Sequence, residues 1–286
     1  MAIRHFFLSA VLIIAASCRS ATRNEPEPVS PENPSPAAPS PELSPRDSWN
    51  LQPTEHQHRY RSSTISSITM EQGPVSLRDS TALITDFSLS ITRNARGASY
   101  LATIEGLTLT TASRTSPSAV PGLSSPVSFT GSIETSQISL TTPVDCNNQV
   151  SSTLPVIQRS LILPPFQLRR GQAWTDSTST AACSGAIPVT LTALRQYRVV
   201  GETSNAARSG LLLERLDKTT SAGEGAEGQH RVQLLSEGTG RMQLLIDPVT
   251  GALLEATGTN TTVATVTASG RSQKFTQISR EHVVQR

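Results

Sequence analysis

From about Gln57 to the C-terminus, apolar and polar residues alternate with a period of two. Leu83, Phe87, Leu89 and Ile91 are interleaved with Asp86, Ser88, Ser90 and Thr92. The same alternation runs through Ile187, Val189, Leu191, Ala193, Tyr197 and Val199, then Met242, Leu244 and Ile246, then Ala252, Leu254 and Ala256. This period places one side-chain set on a buried face, so it predicts half-buried β-strands. Ser and Thr, the latter a good strand former, are assigned to many outward positions.

Punctuation between the runs fixes the connections. Gly201 to Gly210 is a turn region, and Asp247-Pro-Val-Thr-Gly251 joins two strands as a hairpin. Two early runs change phase midway. Tyr100, Ala102 and Ile104 give way to Leu107 and Leu109 after Glu105-Gly106; Val127, Phe129 and Ile133 give way to Ile138 and Leu140. A phase change with glycine nearby predicts a β-bulge, which bends a sheet. Leu154, Ile157 and Leu161 instead fall at helical spacing, with Ser152 or Thr153 as cap, Pro155 in the first turn and Pro164-Pro165 as the stop. They predict one short helix over 153–162, plugging or covering an open face, with an irregular crossing loop as the alternative. The expected fold is mostly β: a curved antiparallel sheet or half-barrel of about ten strands with one short helix. A closed barrel or a sandwich is the second choice.

The first 56 residues follow different rules. Arg4 and His5 precede an apolar run from Phe6 to Ala16, shorter than the roughly 20 residues a spanning helix needs. Small residues Ala15, Ala16 and Ser17 then lead to Cys18, the pattern of a secretory signal ending at a cut site. This stretch resembles the lipobox of bacterial lipoproteins, although Ala15 stands where that family usually has Leu. The resemblance implies acylation at Cys18, tethering by three chains, and, with Arg19 rather than Asp following, an outer-membrane address in the cell envelope. Residues 19–56 hold about half of the prolines and too little apolar surface to offset ordering. They are expected to form a disordered, semi-extended tether that includes Trp49. The domain plan is therefore a signal peptide at 1–17, the lipidated cysteine and tether at 18–56, and a single β-rich domain at 57–286.

With Cys18 assigned to lipid, Cys146 and Cys183 remain as a pair. Disulfides persist in exported proteins, and neither residue lies in a C-x-x-C motif or near a His, so a structural bridge is expected over a redox or metal pair. The segments Leu163-Pro-Pro-Phe166, Arg170-Gly-Gln-Ala-Trp174-Thr-Asp176, Tyr197-Arg-Val-Val-Gly201 and Asp247 through Leu254 resemble β-rich bacterial envelope proteins, some of them like the half-barrel lipoprotein carriers. That resemblance spans roughly residues 145–286 and implies a curved sheet closed by a helix, with no activity attached.

Candidate chemistry is sparse. The net charge is +2, and no basic patch is dense enough for nucleic acid. Gly223-Glu-Gly-Ala-Glu-Gly228 spells a dinucleotide fingerprint but leads into a strand and carries two carboxylates, so it is expected to be a hairpin loop. Glu55, His56 and His58 form a small donor cluster in the tether, with too few ligands for a structural metal. His230 and His282 are single residues, and no G-x-S-x-G or S-x-x-K motif is present. Trp174, beside a turn glycine, is expected to plug the edge of the core, and aromatic platforms for sugars or single strands are lacking. Asn260-Thr-Thr matches a glycosylation triplet that a bacterial signal makes irrelevant. No catalytic residue, metal or cofactor is expected. Two functions remain: a non-enzymatic module that binds or scaffolds an envelope partner, and a carrier of an apolar ligand or lipid.

Overall fold

A computed structural model describes residues 47–286, apart from 53–54, 73–74, 95–96, 112–117, 120–126, 135–136, 141–144, 147–153, 185–186, 205–207 and 228–229. The signal, Cys18 and most of the tether lie outside the described residues. Among the described residues, fourteen strands and one helix follow in order. They are β1 (Ser48–Asn50), β2 (Glu55–Gln72), β3 (Val75–Asn94), β4 (Gly97–Thr111), β5 (Ser118–Ala119), β6 (Val127–Glu134), β7 (Gln137–Leu140), α1 (Leu154–Ser160), β8 (Gln167–Arg169), β9 (Ala173–Ser184), β10 (Ile187–Ser204), β11 (Ser209–Glu227), β12 (His230–Ile246), β13 (Leu253–Ala268) and β14 (Arg271–Gln285).

The fold is the mostly antiparallel, curved sheet with one short helix that the alternation predicts. Twelve strands form it in the order β3-β2-β14-β13-β12-β11-β10-β9-β7-β6-β4-β5, and β3 also pairs with β4. The hydrogen-bonded pairings thus run all the way round, from β3 to β4 and back. The thinnest seam is a parallel bridge of two residue pairs, Gln137 with Ser177 and Ile138 with Thr178. Strands distant in sequence meet in the sheet: β14 pairs with β2 from Phe275 opposite Met70 to Gln285 opposite Tyr60.

Local features follow from the sequence punctuation. The register shift opposite Asp86/Phe87 leaves Glu105 as the extra residue of β4, the bulge expected at Glu105-Gly106. The second phase change is a hairpin rather than a bulge: β6 and β7 pair antiparallel across residues 135–136. A hairpin resets which face each residue occupies, so it produces the same break in alternation. The β12–β13 turn is closed by Gly251 N–H donating to Asp247 O, while Asp247 Oδ1 accepts from the amides of Val249 and Thr250. Gly251 sits at φ 75°, where a Cβ would be strained. Gly223 to Glu227 belong to β11, so this part of the glycine-rich segment is strand rather than the expected hairpin loop, and Gly228 lies outside the described residues. A Cβ on Gly223 would lie 2.2 Å from Pro188 O, which explains a glycine there.

The N-terminal boundary needs correction. Trp49 is fully buried in the main core, and β1 pairs with β8 in a small separate sheet. Its indole Nε1 donates to Glu202 at 2.6 Å. Leu51 is also buried and its amide donates to Phe166 O. The folded part therefore begins at about Ser48, and His56 and His58 stand in β2 rather than in a linker. A three-residue strand has no alternation long enough to read, and flanking prolines masked it.

Two apolar clusters fill the curl. The larger holds Trp49, Tyr60, Phe87, Tyr197, Leu213, Leu244 and Val283 with Ile157 of α1 and Leu161 just after it. The smaller holds Ile68, Met70, Ile187, Val189, Val232, Leu234, Val266 and Phe275. Cross-strand aromatic pairs brace the first: Tyr60 stacks on Phe87 at 5.3 Å and Trp174 on Tyr197 at 4.8 Å between ring centres. Trp174 is thus packed against the core edge as expected.

Candidate functional site

Between the two apolar clusters the inward face turns polar. Along β14 the inward residues read Phe275, Gln277, Ser279, Glu281, Val283, so a polar stretch is flanked by apolar ends. The registers line up such stretches on neighbouring strands. Arg195 lies opposite both Asp176 and Asp217; Asp217 faces Gly240, Gly240 faces Asn260, and Asn260 faces Ser279. One row over, Thr219 faces Gly238, which faces Thr262, which faces Gln277. A Cβ on Gly238 would meet Thr219 Oγ1 at 2.5 Å and Thr262 Oγ1 at 2.9 Å. The glycine is what lets the two threonines converge.

The result is a chamber of about 210 Å³, walled by β9 to β14 and lidded by Pro155, Gln158 and Arg159 of α1. Three ion pairs cross or border it. Arg195 pairs with Asp176 through Nε and Nη2, Arg215 Nε lies 2.8 Å from Asp217 Oδ1, and Arg159 Nη1 donates to Glu281 Oε2 at 3.1 Å. Arg195 and Arg215 also cap the helix. Arg195 Nη1 donates to Gln158 O and Leu161 O at 3.0 and 3.1 Å, and Arg215 Nη1 donates to Arg159 O at 2.7 Å. Terminal helix carbonyls lack intrahelical donors and carry partial negative charge, so buried arginines suit them twice over. Burial alone would push the Arg215 guanidinium down, but Tyr197, Asp217 and Glu281 outweigh it and hold it above its ordinary value. Burial raises Tyr197 to about 12, keeping its hydroxyl protonated to donate to Asp176 Oδ2.

Hydroxyls complete the wall: Ser66 with Ser279 at 2.8 Å, Ser221 with Ser236 at 2.7 Å, and Gln158 Nε2 donating to Thr180 Oγ1 at 2.9 Å. Three buried acceptors on the chamber wall make no hydrogen bond, Glu281 Oε1, Asn260 Oδ1 and Asp217 Oδ1, and of these Asp217 Oδ1 is held in the ion pair with Arg215 Nε. The Glu281 side chain is only 6% exposed.

Of the residues singled out in the sequence, Cys146 and Cys183 are joined, with Cα atoms 5.3 Å apart. The bridge anchors the segment after β7 to β9 beside the thin seam, and Cys183 reaches the chamber wall. His56 and His58 have ring centres 5.2 Å apart. Burial lowers both histidines; the charge of His58 adds to the effect on His56, and Asp247 opposes it on both. No three metal-binding side chains cluster among the described residues. His230 and His282 stand at opposite ends of the β12–β14 ladders. His230 Nδ1 lies 2.6 Å from Ser269 Oγ, and His282 Nε2 lies 3.0 Å from Glu255 Oε1. Ser269, at φ 52°, and Gly270, at φ 74°, form the two-residue β13–β14 turn, so the unusual serine backbone belongs to the hairpin. The chamber itself escaped sequence reading because inward and outward Ser/Thr look alike. The available signal was the polar interruption of an inward apolar row, as in Phe275 to Val283.

No protein-family model and no curated protein matches the chain.

Proposed function

We propose that this protein is a lipid-anchored binding module of the bacterial cell envelope, held at a membrane through Cys18, and that it is not an enzyme. The observation that carries the binding role is the polar chamber. Preformed concave sites with a few convergent polar groups are where proteins hold ligands. A fold that needed only stability would do as well or better with apolar residues there, because buried ion pairs repay their desolvation poorly. The non-enzymatic part rests on the arrangement of the chamber carboxylates, each engaged by an arginine, with no histidine or cysteine thiol beside them. The anchor rests on the signal, small residues and cysteine at 15–18.

A carrier of acyl chains is the second reading, and the lining speaks against it. An alkyl chain in 210 Å³ would lie against Asp217, Asn260 and Glu281 and satisfy none of them, at a cost of roughly 1–3 kcal/mol for each stranded polar group.

The test is fractionation followed by native mass spectrometry. Wild-type chain should sediment with membranes, and Cys18→Ser should move to the soluble fraction. The released domain should carry no acyl lipid. Membrane retention of Cys18→Ser would overturn the anchor, and a stoichiometric lipid adduct would overturn the binding role in favour of the carrier.

A further inference from the structure

We infer that the chamber receives an uncharged, polyhydroxylated solute about the size of one sugar ring. This rests on the binding-module reading and names its ligand class.

Size sets the first limit. A dry cavity of about 150 Å³ admits benzene, so 210 Å³ accommodates a six-membered ring with a few small substituents. Charge sets the second. Arg159, Arg195 and Arg215 are matched by Glu281, Asp176 and Asp217. No net charge remains to offset the desolvation of an anion or a cation.

Hydrogen bonding sets the third. Glu281 Oε1 is buried and without a hydrogen bond, and so is Asn260 Oδ1 on the same chamber wall. An occupant must therefore donate. The Ser221–Ser236 pair can give or take a hydrogen bond, which suits a ligand whose groups do both. Leu191 and Met242 supply apolar wall, complementary to the C–H face of a ring. Hydroxyl groups on a saturated ring meet all of these conditions together. A hydrocarbon cannot donate, and an amino acid brings charge.

The experiment titrates the full exported chain, purified in detergent, with myo-inositol, glucose, lysine and decanoate in separate calorimetric runs. At least one of the two uncharged polyols should bind with Kd below about 1 mM. Ser236→Leu, which fills the chamber from its wall, should weaken that binding by at least about tenfold. Glu237→Leu, which places the same side chain on the outer face of β12, should leave it unchanged. Asn260→Ala, which removes an acceptor without adding bulk, should weaken it too. Lysine or decanoate binding in the chamber while both polyols fail would overturn the ligand class and leave the module reading standing. Polyol binding that survives Ser236→Leu and Asn260→Ala would overturn the site. Failure of all four probes would overturn the inference outright, whereas the anchor is judged separately by the fractionation of Cys18→Ser.

Discussion

Asp176 on β9 and Arg195 on β10 sit directly opposite each other and share a two-pronged hydrogen-bonded ion pair, buried to 6% and 3% side-chain exposure. The same arginine holds the last carbonyls of α1. Sheet and helix are therefore joined through one charge. Asp176→Ala leaves that guanidinium buried without its counter-charge and should destabilise the fold by about 3–5 kcal/mol. The double variant Asp176→Leu/Arg195→Met should recover most of the loss. Urea unfolding of the single and double variants measures both.

Trp49 should behave as a core residue. Trp49→Ala removes a fully buried indole and should cost about 3–5 kcal/mol. Deletion of 19–46 should leave the denaturation midpoint unchanged, whereas deletion of 19–51 should lower it sharply. Both follow from tryptophan fluorescence and denaturant titration.

The Cys146–Cys183 bridge closes a loop with a sequence separation of 37. In the chain-entropy model that is worth roughly 4 kcal/mol. Reductant should lower the unfolding midpoint accordingly, and Cys146 should alkylate only after reduction. Ready alkylation without reductant would show the two thiols to be free.

Acid should weaken the protein through His56 and His58. Burial depresses both from 6.5 in the folded state, so between 6.5 and the folded values the unfolded chain binds more protons. Stability is then fully present above 6.5 and falls as pH drops through the folded values. Asp247 adds a further loss at lower pH: burial pushes its carboxyl up, but hydrogen bonds from Thr250 and Val249 outweigh it and hold it below 3.8. The melting midpoint should decline between about pH 7 and 5, and His56→Gln should flatten the decline.

The fold was legible where alternation was long. β10, β12 and the β12–β13 hairpin follow directly from the period-two pattern of Ile187 to Val199 and of Met242 to Ala256. The helix follows instead from the helical spacing of Leu154, Ile157 and Leu161, and is observed at Leu154–Ser160 against an expected 153–162. Reading failed where local pattern carries no information about partners. β1 has three residues and is held by Trp49 packing into a distant core. The pairing of Arg195 with Asp176 depends on register across separate strands, and that of Arg159 with Glu281 on how α1 packs against β14. The chamber arises because Gly238, Gly240 and Gly258 face inward among Ser and Thr, and face assignment needs the whole ladder.

The β2–β14 ladder joins residues some two hundred positions apart. A chain synthesised N-terminus first presents β2 long before β14 exists. One edge of β2 must wait, unpaired, for the fifteen residues of β14. Late, long-range closure of this kind slows folding and prolongs exposure of a bare strand edge. Glu281 and Ser279 ride on β14, so the chamber can be completed only after that strand has paired.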